Sequence, residues 1–407
     1  MTLDGAMTET RRREFPVLVP DAHAIGMIAT IRSLGRAGYP VHACASRPDA
    51  LGLASRYATR GDPCPSYEDP RFLPWLSDYV RAHRIRAIIP SEGFLLAVRP
   101  VFDEFAALMP ISRNSELVYG ALSKAHVLAR LLESAETSAH IPPTLIVVEG
   151  QPAPESSDLE RLGPPLFLKG DGADARDGGA NIVVRELTAE AALARLHALR
   201  ARYTRVIVQG YVPGQGTGAY FLMRQGEIRQ EFMNRCLHEV PHTGGLCSLR
   251  ESWLHEAMLA DARRKIHHLG WEGVAMLEYR WDPDSDRFWF IELNARFWAA
   301  LHLALYAGVD FPLLLMDEFH GSGPRPQKPF PVGVQCRYTV PFEIGYVVSR
   351  WRDRSLPFWS RLASVAEWFA LFLNPRIYSD LWFPKDRRLY WLQWRSFVRE
   401  LVARPPR

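Results

Sequence analysis

Two carboxylates and an amide stand where they can share a divalent cation. Glu278 lies in the run Gly-Val-Ala-Met-Leu-Glu-Tyr-Arg-Trp (273–281), and Glu292 and Asn294 lie in Phe-Trp-Phe-Ile-Glu-Leu-Asn-Ala-Arg-Phe (288–297). Each run is long and apolar enough for a buried strand. An acid inside such a strand is costly unless it is paired or bound to a metal. Asp282-Pro283-Asp284-Ser285-Asp286 between the runs is a turn cluster, so the two runs read as a hairpin. Residues two apart on a strand share a face, which lets Glu278, Glu292 and Asn294 look the same way. Such a hard-oxygen set suits Mg2+, which keeps waters and completes its shell from nucleotide phosphates. Arg296 follows two residues on, where it can neutralise a phosphoryl group in transfer.

The pair VAMLEYRWD and WFIELNARFW resembles the metal-binding core of ATP-grasp enzymes. The likeness is to carboxylate–amine ligases of the carbamoyl-phosphate-synthetase and D-alanine-ligase type. Upstream segments carry it further. Ser123-Lys124 opens an apolar-periodic helix, and Lys124 resembles the first nucleotide lysine of that family. Pro164-Pro165-Leu166-Phe167-Leu168-Lys169 is a strand ending in Lys169, which resembles the second lysine and offers a point charge to the α- and β-phosphates. The glycine-rich loop 170–179 follows directly, and Gly172, Gly178 and Gly179 allow backbone N–H groups to approach phosphate. Its aspartates at 171, 174 and 177 are unusual for the family: they point outward, or they meet the metal or an amine. Val206–Gly214 resembles the hinge that binds adenine, with Gln209 and the backbone of Tyr211 and Val212 as the candidates. Relatives commonly carry Glu or Lys where Gly210 stands, and Gln215 replaces a ribose acid. Asn234-Arg235 through Thr243-Gly244-Gly245 resembles the segment lining the phosphate and carboxylate end, which makes Arg235 a clamp for the acceptor carboxylate or the γ-phosphate.

The elements that must position these groups divide the chain into four. Residues 1–13 read as a disordered leader. Residues 14–119 alternate strands and helices, which predicts a parallel sheet covered on both faces, a Rossmann-like domain of the kind that precedes an ATP-grasp module. No Gly-x-Gly-x-x-Gly follows its first strand, so a dinucleotide site is disfavoured. Asp21, His23, Ser91 and Glu92 fall at strand C-terminal ends, where they either wall the acceptor pocket or cap helices. Residues 120–325 are the ATP-grasp domain, expected as two α+β subdomains sandwiching ATP. Residues 326–407 are a mostly helical extension rich in tryptophan and arginine. That extension packs on the body or lies on a membrane surface, and packing is the favoured reading.

Composition fits a soluble, folded enzyme. Of 407 residues, 47% are hydrophobic and 23% charged, which excludes a disordered chain, and a net charge of +4 gives no reason to expect nucleic acid. The five cysteines form no Cys-x-x-Cys pair, so neither a zinc site nor a disulfide framework is indicated, and a cytoplasmic compartment is the default. The resemblance implies an ATP-dependent ligase that joins a small-molecule carboxylate to an amine through an acylphosphate. Its cofactors would be ATP and two Mg2+ ions, with Mn2+ as the alternative ion. Lys124 and Lys169 would hold phosphates, Glu278, Glu292 and Asn294 the metal, and Arg235 and Arg296 the acylphosphate. Two other readings stand beside it: an ATP-binding regulatory or assembly protein without turnover, and a membrane-peripheral ligase of envelope or polysaccharide assembly. A homodimer is left open.

Overall fold

The computed structural model describes residues 8–176, 181–322 and 326–403. Short strands build the first sheet, three of them wholly buried. β1 (Val17–Val19), β2 (Val41–Ala45), β3 (Arg60–Pro63) and β4 (Ala87–Ile88) run parallel in the order β3-β2-β1-β4. The helices Ile25–Arg36 and Phe72–Ala82 follow β1 and β3. Polar, exposed β3 carries no apolar alternation and shows no strand pattern in the sequence; it pairs as an edge, where exposure is tolerated. The expected disordered leader needs correction over its described part. Glu9–Arg13 is a helical turn capped by Thr8, and Arg12 pairs with Asp317 at 3.3 Å.

A small antiparallel sheet comes next: β5 (Thr144–Val148), β6 (Leu166–Gly170), β7 (Ile182–Glu186) and β8 (Arg205–Gly210), in the order β5-β8-β6-β7. The helices Ser156–Arg161 and Ala189–Arg200 cover the face of Leu166, Leu168, Val206 and Val208. Strand alternation turns Phe167, Lys169, Ile207 and Gln209 to the other face.

The large sheet has seven strands: β9 (Gln215–Arg224), β10 (Glu227–Val240), β11 (Leu246–Ser252), β12 (Gly273–Asp282), β13 (Arg287–Asn294), β14 (Gln335–Arg337) and β15 (Ile377–Ser379). Their order is β13-β12-β9-β10-β11-β14-β15. Gln225-Gly226 closes the β9–β10 hairpin with both residues at positive φ, the geometry of a tight two-residue turn. The helix Glu256–Leu269 covers one face. There Tyr279 donates to Asp261 at 2.8 Å and the Thr217 hydroxyl meets Met258.

The extension is more than helices. It supplies β14, which pairs antiparallel with β11, and β15, which runs parallel to β14. The helices Ile344–Arg352, Phe358–Leu373 and Arg388–Ala403 complete it. β14 is only three residues long, and residues 323–325, next to the expected boundary between 325 and 326, lie outside the described residues. The cysteine reading also needs correction, because Cys236 on β10 and Cys247 on β11 are joined by a disulfide. The two histidines beside Arg235 anchor the extension. His238 stacks on Tyr346 and meets Glu343 at 3.2 Å, and His242 meets Asp353 at 3.0 Å.

Candidate functional site

The β12–β13 register places Glu278 directly opposite Glu292, with a bulge one step further on, and Met276 opposite Asn294. The three oxygen-bearing side chains therefore share one face. A continuous polar chain runs from them. Lys124 Nζ lies 2.8 Å from Glu292 Oε2, Asn294 Nδ2 donates to Glu292 Oε1 at 3.0 Å, and Arg296 donates to Asn294 Oδ1 at 3.0 Å. Arg296 Nε then reaches Glu92 Oε2 of the first domain at 3.0 Å. Lys124 is placed by the start of its helix, Lys124–Leu132, where Ser123 caps the His126 N–H.

Lys169, buried on β6, donates to Gln209 Oε1 at 2.8 Å, and Gln209 Nε2 donates to Thr144 Oγ1 at 2.9 Å. Burial raises the Glu278 carboxyl to about 7, helped by Glu292 and opposed by Lys169. Burial lowers Lys169 to about 8 despite Glu292. Burial also opposes ionisation of Glu292, but Lys124 and Lys169 outweigh it and hold that carboxyl below its ordinary value. Buried Lys169 and half-buried Lys124, Glu278 and Glu292 thus face one another, a setting poised for a cation and an anion together. Among the described residues no group of three or more His, Cys, Asp or Glu could hold a metal. Two carboxylates with one amide nevertheless suit Mg2+ that draws further ligands from phosphates.

The loop after β6 is accounted for in part. Asp171 Oδ2 accepts the Lys124 N–H at 2.7 Å, and Asp174 Oδ2 accepts the Ser123 hydroxyl at 2.6 Å. Both acids therefore brace the helix start that carries Lys124. The Gly172 N–H donates to Asn181 at 2.7 Å, and Asn181 donates in turn to Glu92 at 2.9 Å. Asp177, Gly178 and Gly179 lie outside the described residues.

Burial raises Asp171 to about 7, with Asp174 adding to the rise and the Lys124 N–H opposing it. A raised folded pKa favours the protonated acid, so its contribution to stability falls as pH climbs from about 4 to about 7. A change of that size is worth roughly 4 kcal/mol. We expect Asp171→Asn, which keeps an acceptor for Lys124, to stabilise the fold by about 2 kcal/mol at pH 8 and by nothing near pH 3.5. Thermal unfolding at the two pH values checks this, and an equal effect at both would refute it.

Residues 211–214 connect β8 of the small sheet to β9 of the large one. The Tyr211 N–H donates to Pro165 O at 3.0 Å, so that N–H is already committed. A Cβ on Gly210 would fall 2.2 Å from the Leu162 carbonyl oxygen, which explains why no larger residue stands there.

Arg235 does not join the site. The register pairs Arg235 with Thr217, and Thr217 with Tyr279, so Arg235 shares the helix-covered face and not the face of Glu278. It is held there by Glu251 at 2.8 Å.

Arg296 instead borders a cavity of about 690 Å³ between the first domain, Gly172 and the end of β13. Asp21, His23, Tyr67, Ser91, Glu92 and Trp298 line it. Asp21 sits at φ 52° and accepts the Ser91 hydroxyl. Ser91 also caps its helix, so it lines the cavity and caps at once. Sequence reasoning missed Asn181, Tyr67 and Trp298. Asn181 carried only the signal of a polar residue closing a glycine loop.

No family model and no curated protein sequence matches the chain. Solved structures do match. An L-amino acid ligase from Bacillus licheniformis is 14% identical, with 77% of each chain covered and a TM-score of 0.54. A biotin carboxylase from Campylobacter jejuni, solved as an ATP-type complex, is 17% identical over 79% of this chain and 74% of that one, with a TM-score of 0.57. An N5-carboxyaminoimidazole synthetase from Staphylococcus aureus is 13% identical over 78% and 80%, with a TM-score of 0.56. Identities this low establish architecture and not reaction: the chain has the ATP-grasp fold.

Proposed function

We propose that the protein is an ATP-dependent ligase that joins a small-molecule carboxylate to an amine through an acylphosphate. The observation that supports this is the unbroken chain Glu92–Arg296–Asn294–Glu292–Lys124, which ties the first-domain cavity to Lys124. A carboxylate held in that cavity would lie beside Arg296, within reach of the γ-phosphate. Lys124 would exchange Glu292 for phosphate, and Lys169 would hold the α- and β-phosphates. Gln209 and Val212 would meet adenine, and Gly172 would close over the phosphates. Glu278, Glu292 and Asn294 would hold Mg2+, which when bound supplies charge neutralisation to the transferring phosphoryl group. Arg296 would share that charge as the acylphosphate forms and the amine displaces phosphate. Such chemistry is chiefly positioning and electrostatics.

Incubation with Mg-ATP and pooled carboxylic acids and amines should yield ADP and new amides only when both pools are present. Cleavage to AMP, or nucleotide binding without turnover, would reject the ligase reading, the latter in favour of a regulatory protein. By calorimetry, Lys169→Ala should weaken ATP at least about tenfold, roughly 1.4 kcal/mol. Changes at Asp171 or Asp174 should weaken it less. Equal affinity for Lys169→Ala and wild type would remove Lys169 from the phosphate site.

A further inference from the structure

The sixteen-residue helix Phe358–Leu373 is strongly apolar, yet it buries only Ser364. Trp359 is 75% exposed and Leu373 85%. The last helix, Arg388–Ala403, buries only Leu389, and its Trp391 and Val402 are 61% and 81% exposed. Two thirds of the large hydrophobic side chains that stand exposed among the described residues fall within 348–402. The sequence expectation that these aromatics cover the body is therefore only half met. The extension is built into the sheet, but its aromatic face looks outward. Soluble monomers rarely leave an apolar surface of this kind without a partner.

Charge identifies the partner. Residues 348–403 hold ten Lys and Arg against five Asp and Glu, while the whole chain nets +4, so the remainder is close to neutral. Two of the five acids, Asp380 and Asp386, are buried against Arg250 and Arg32. Basic and apolar groups interleave. The Arg361 guanidinium lies 5.8 Å from the ring centres of Trp351 and Phe358, and that of Arg387 lies 4.6 Å from Trp382. Arg388, Arg395 and Arg399 recur along one side of the last helix and line a cleft of about 810 Å³. The two helices flank one sheet edge. β15 ends the sheet between them in sequence, Arg337 of β14 lies 4.1 Å from the Phe372 ring, and Trp382 packs on Trp391.

We propose that this edge docks on the surface of an anionic bilayer, with Phe358–Leu373 and Arg388–Ala403 lying in the interface plane. Tryptophans favour the headgroup level, and arginines favour anionic headgroups. No described helix is long and apolar enough to cross a membrane, so the contact is peripheral. A second copy fits less well, because a two-fold contact sets the patch against itself and brings its arginines together.

The test is flotation of the full chain with phosphatidylcholine vesicles, with and without phosphatidylglycerol. Binding to the anionic vesicles should exceed that to neutral ones roughly tenfold at about 0.1 M salt and should fall several-fold at about 0.5 M. Trp359→Ala/Trp391→Ala and, separately, Arg395→Glu/Arg399→Glu should each lose roughly tenfold in binding, with unchanged melting temperature and ATP binding. These side chains are exposed and lie outside the nucleotide cleft. Absent flotation, equal binding to neutral vesicles, or wild-type binding by both variants would overturn the proposal. So would a lipid-free dimer that Trp359→Ala/Trp391→Ala abolishes, which would assign the surface to a second copy.

Discussion

Glu292→Gln is expected to lower ADP formation by about 10³-fold, some 4 kcal/mol of transition-state stabilisation, while changing folding stability by less than about 1 kcal/mol. The amide is isosteric, and its oxygen can still accept from Asn294, as Glu292 Oε1 does at 3.0 Å. What disappears is one of two negative charges facing Lys124 and Lys169. Loss of that charge also frees Glu278 from its anionic neighbour, one of the two causes of its raised pKa, so the site should tolerate the change structurally. Cation binding should suffer, because one carboxylate and one amide are a poor set for Mg2+. Turnover within tenfold of wild type at saturating Mg2+ would show that Glu292 serves only to hold Lys124. Arg235→Ala in the same assay is the internal control: facing the other side of the sheet, it should leave turnover within a few-fold.

The contrast between Arg235 and Glu292 marks how far the sequence is legible. The β12–β13 hairpin announces itself as two apolar runs around a polar turn, and side-chain alternation within it needs no other strand. The place of Lys169 is equally plain, because the apolar run before it sets it on β6 just ahead of the glycine loop. The face of Arg235, by contrast, depends on register across three strands. A bulge between Ile228 and Gln230 shifts the β10–β9 pairing by one residue. Without it Arg235 would oppose Gly216 and look the same way as Glu278; one inserted residue reverses the face. The Cys236–Cys247 bridge is hidden for the same reason, since it depends on how β10 and β11 align. The role of Asp171 and Asp174 was open because their partner, the helix start at Ser123-Lys124, lies some fifty residues away in the chain. The aromatics of the extension show a further limit: spacing marks which residues could form an apolar face, and nothing in it says what that face meets.

Asp380→Asn should destabilise the protein by about 3–5 kcal/mol, because it leaves a buried guanidinium without its counter-charge. Asp380 follows β15 and is paired with Arg250 of β11; both are almost wholly buried. Burial alone would lower the pKa of Arg250, but Asp380 more than restores it, so the arginine stays charged and needs its partner. The backbone next to it matters as well. Arg32, from the helix Ile25–Arg36 of the first domain, donates to the Asp380 carbonyl at 2.5 Å and to Asp386 at 2.8 Å. Seven residues of the extension thus supply counter-charges to both the large sheet and the first domain. Truncation before residue 326 would remove both acids together with β14 and β15, stranding Arg32 and Arg250 in apolar surroundings. Such a chain should be insoluble or should melt far below the full protein. Asp380→Asn separates this ionic cause from the general loss of packing, since it deletes no atoms from the core. If it melts within about 1 °C of wild type, corresponding to under about 1 kcal/mol for a chain of 407 residues, the pair is not what fixes the extension. Membrane docking is independent of this result, because the exposed face of the extension and its buried acids point to different partners.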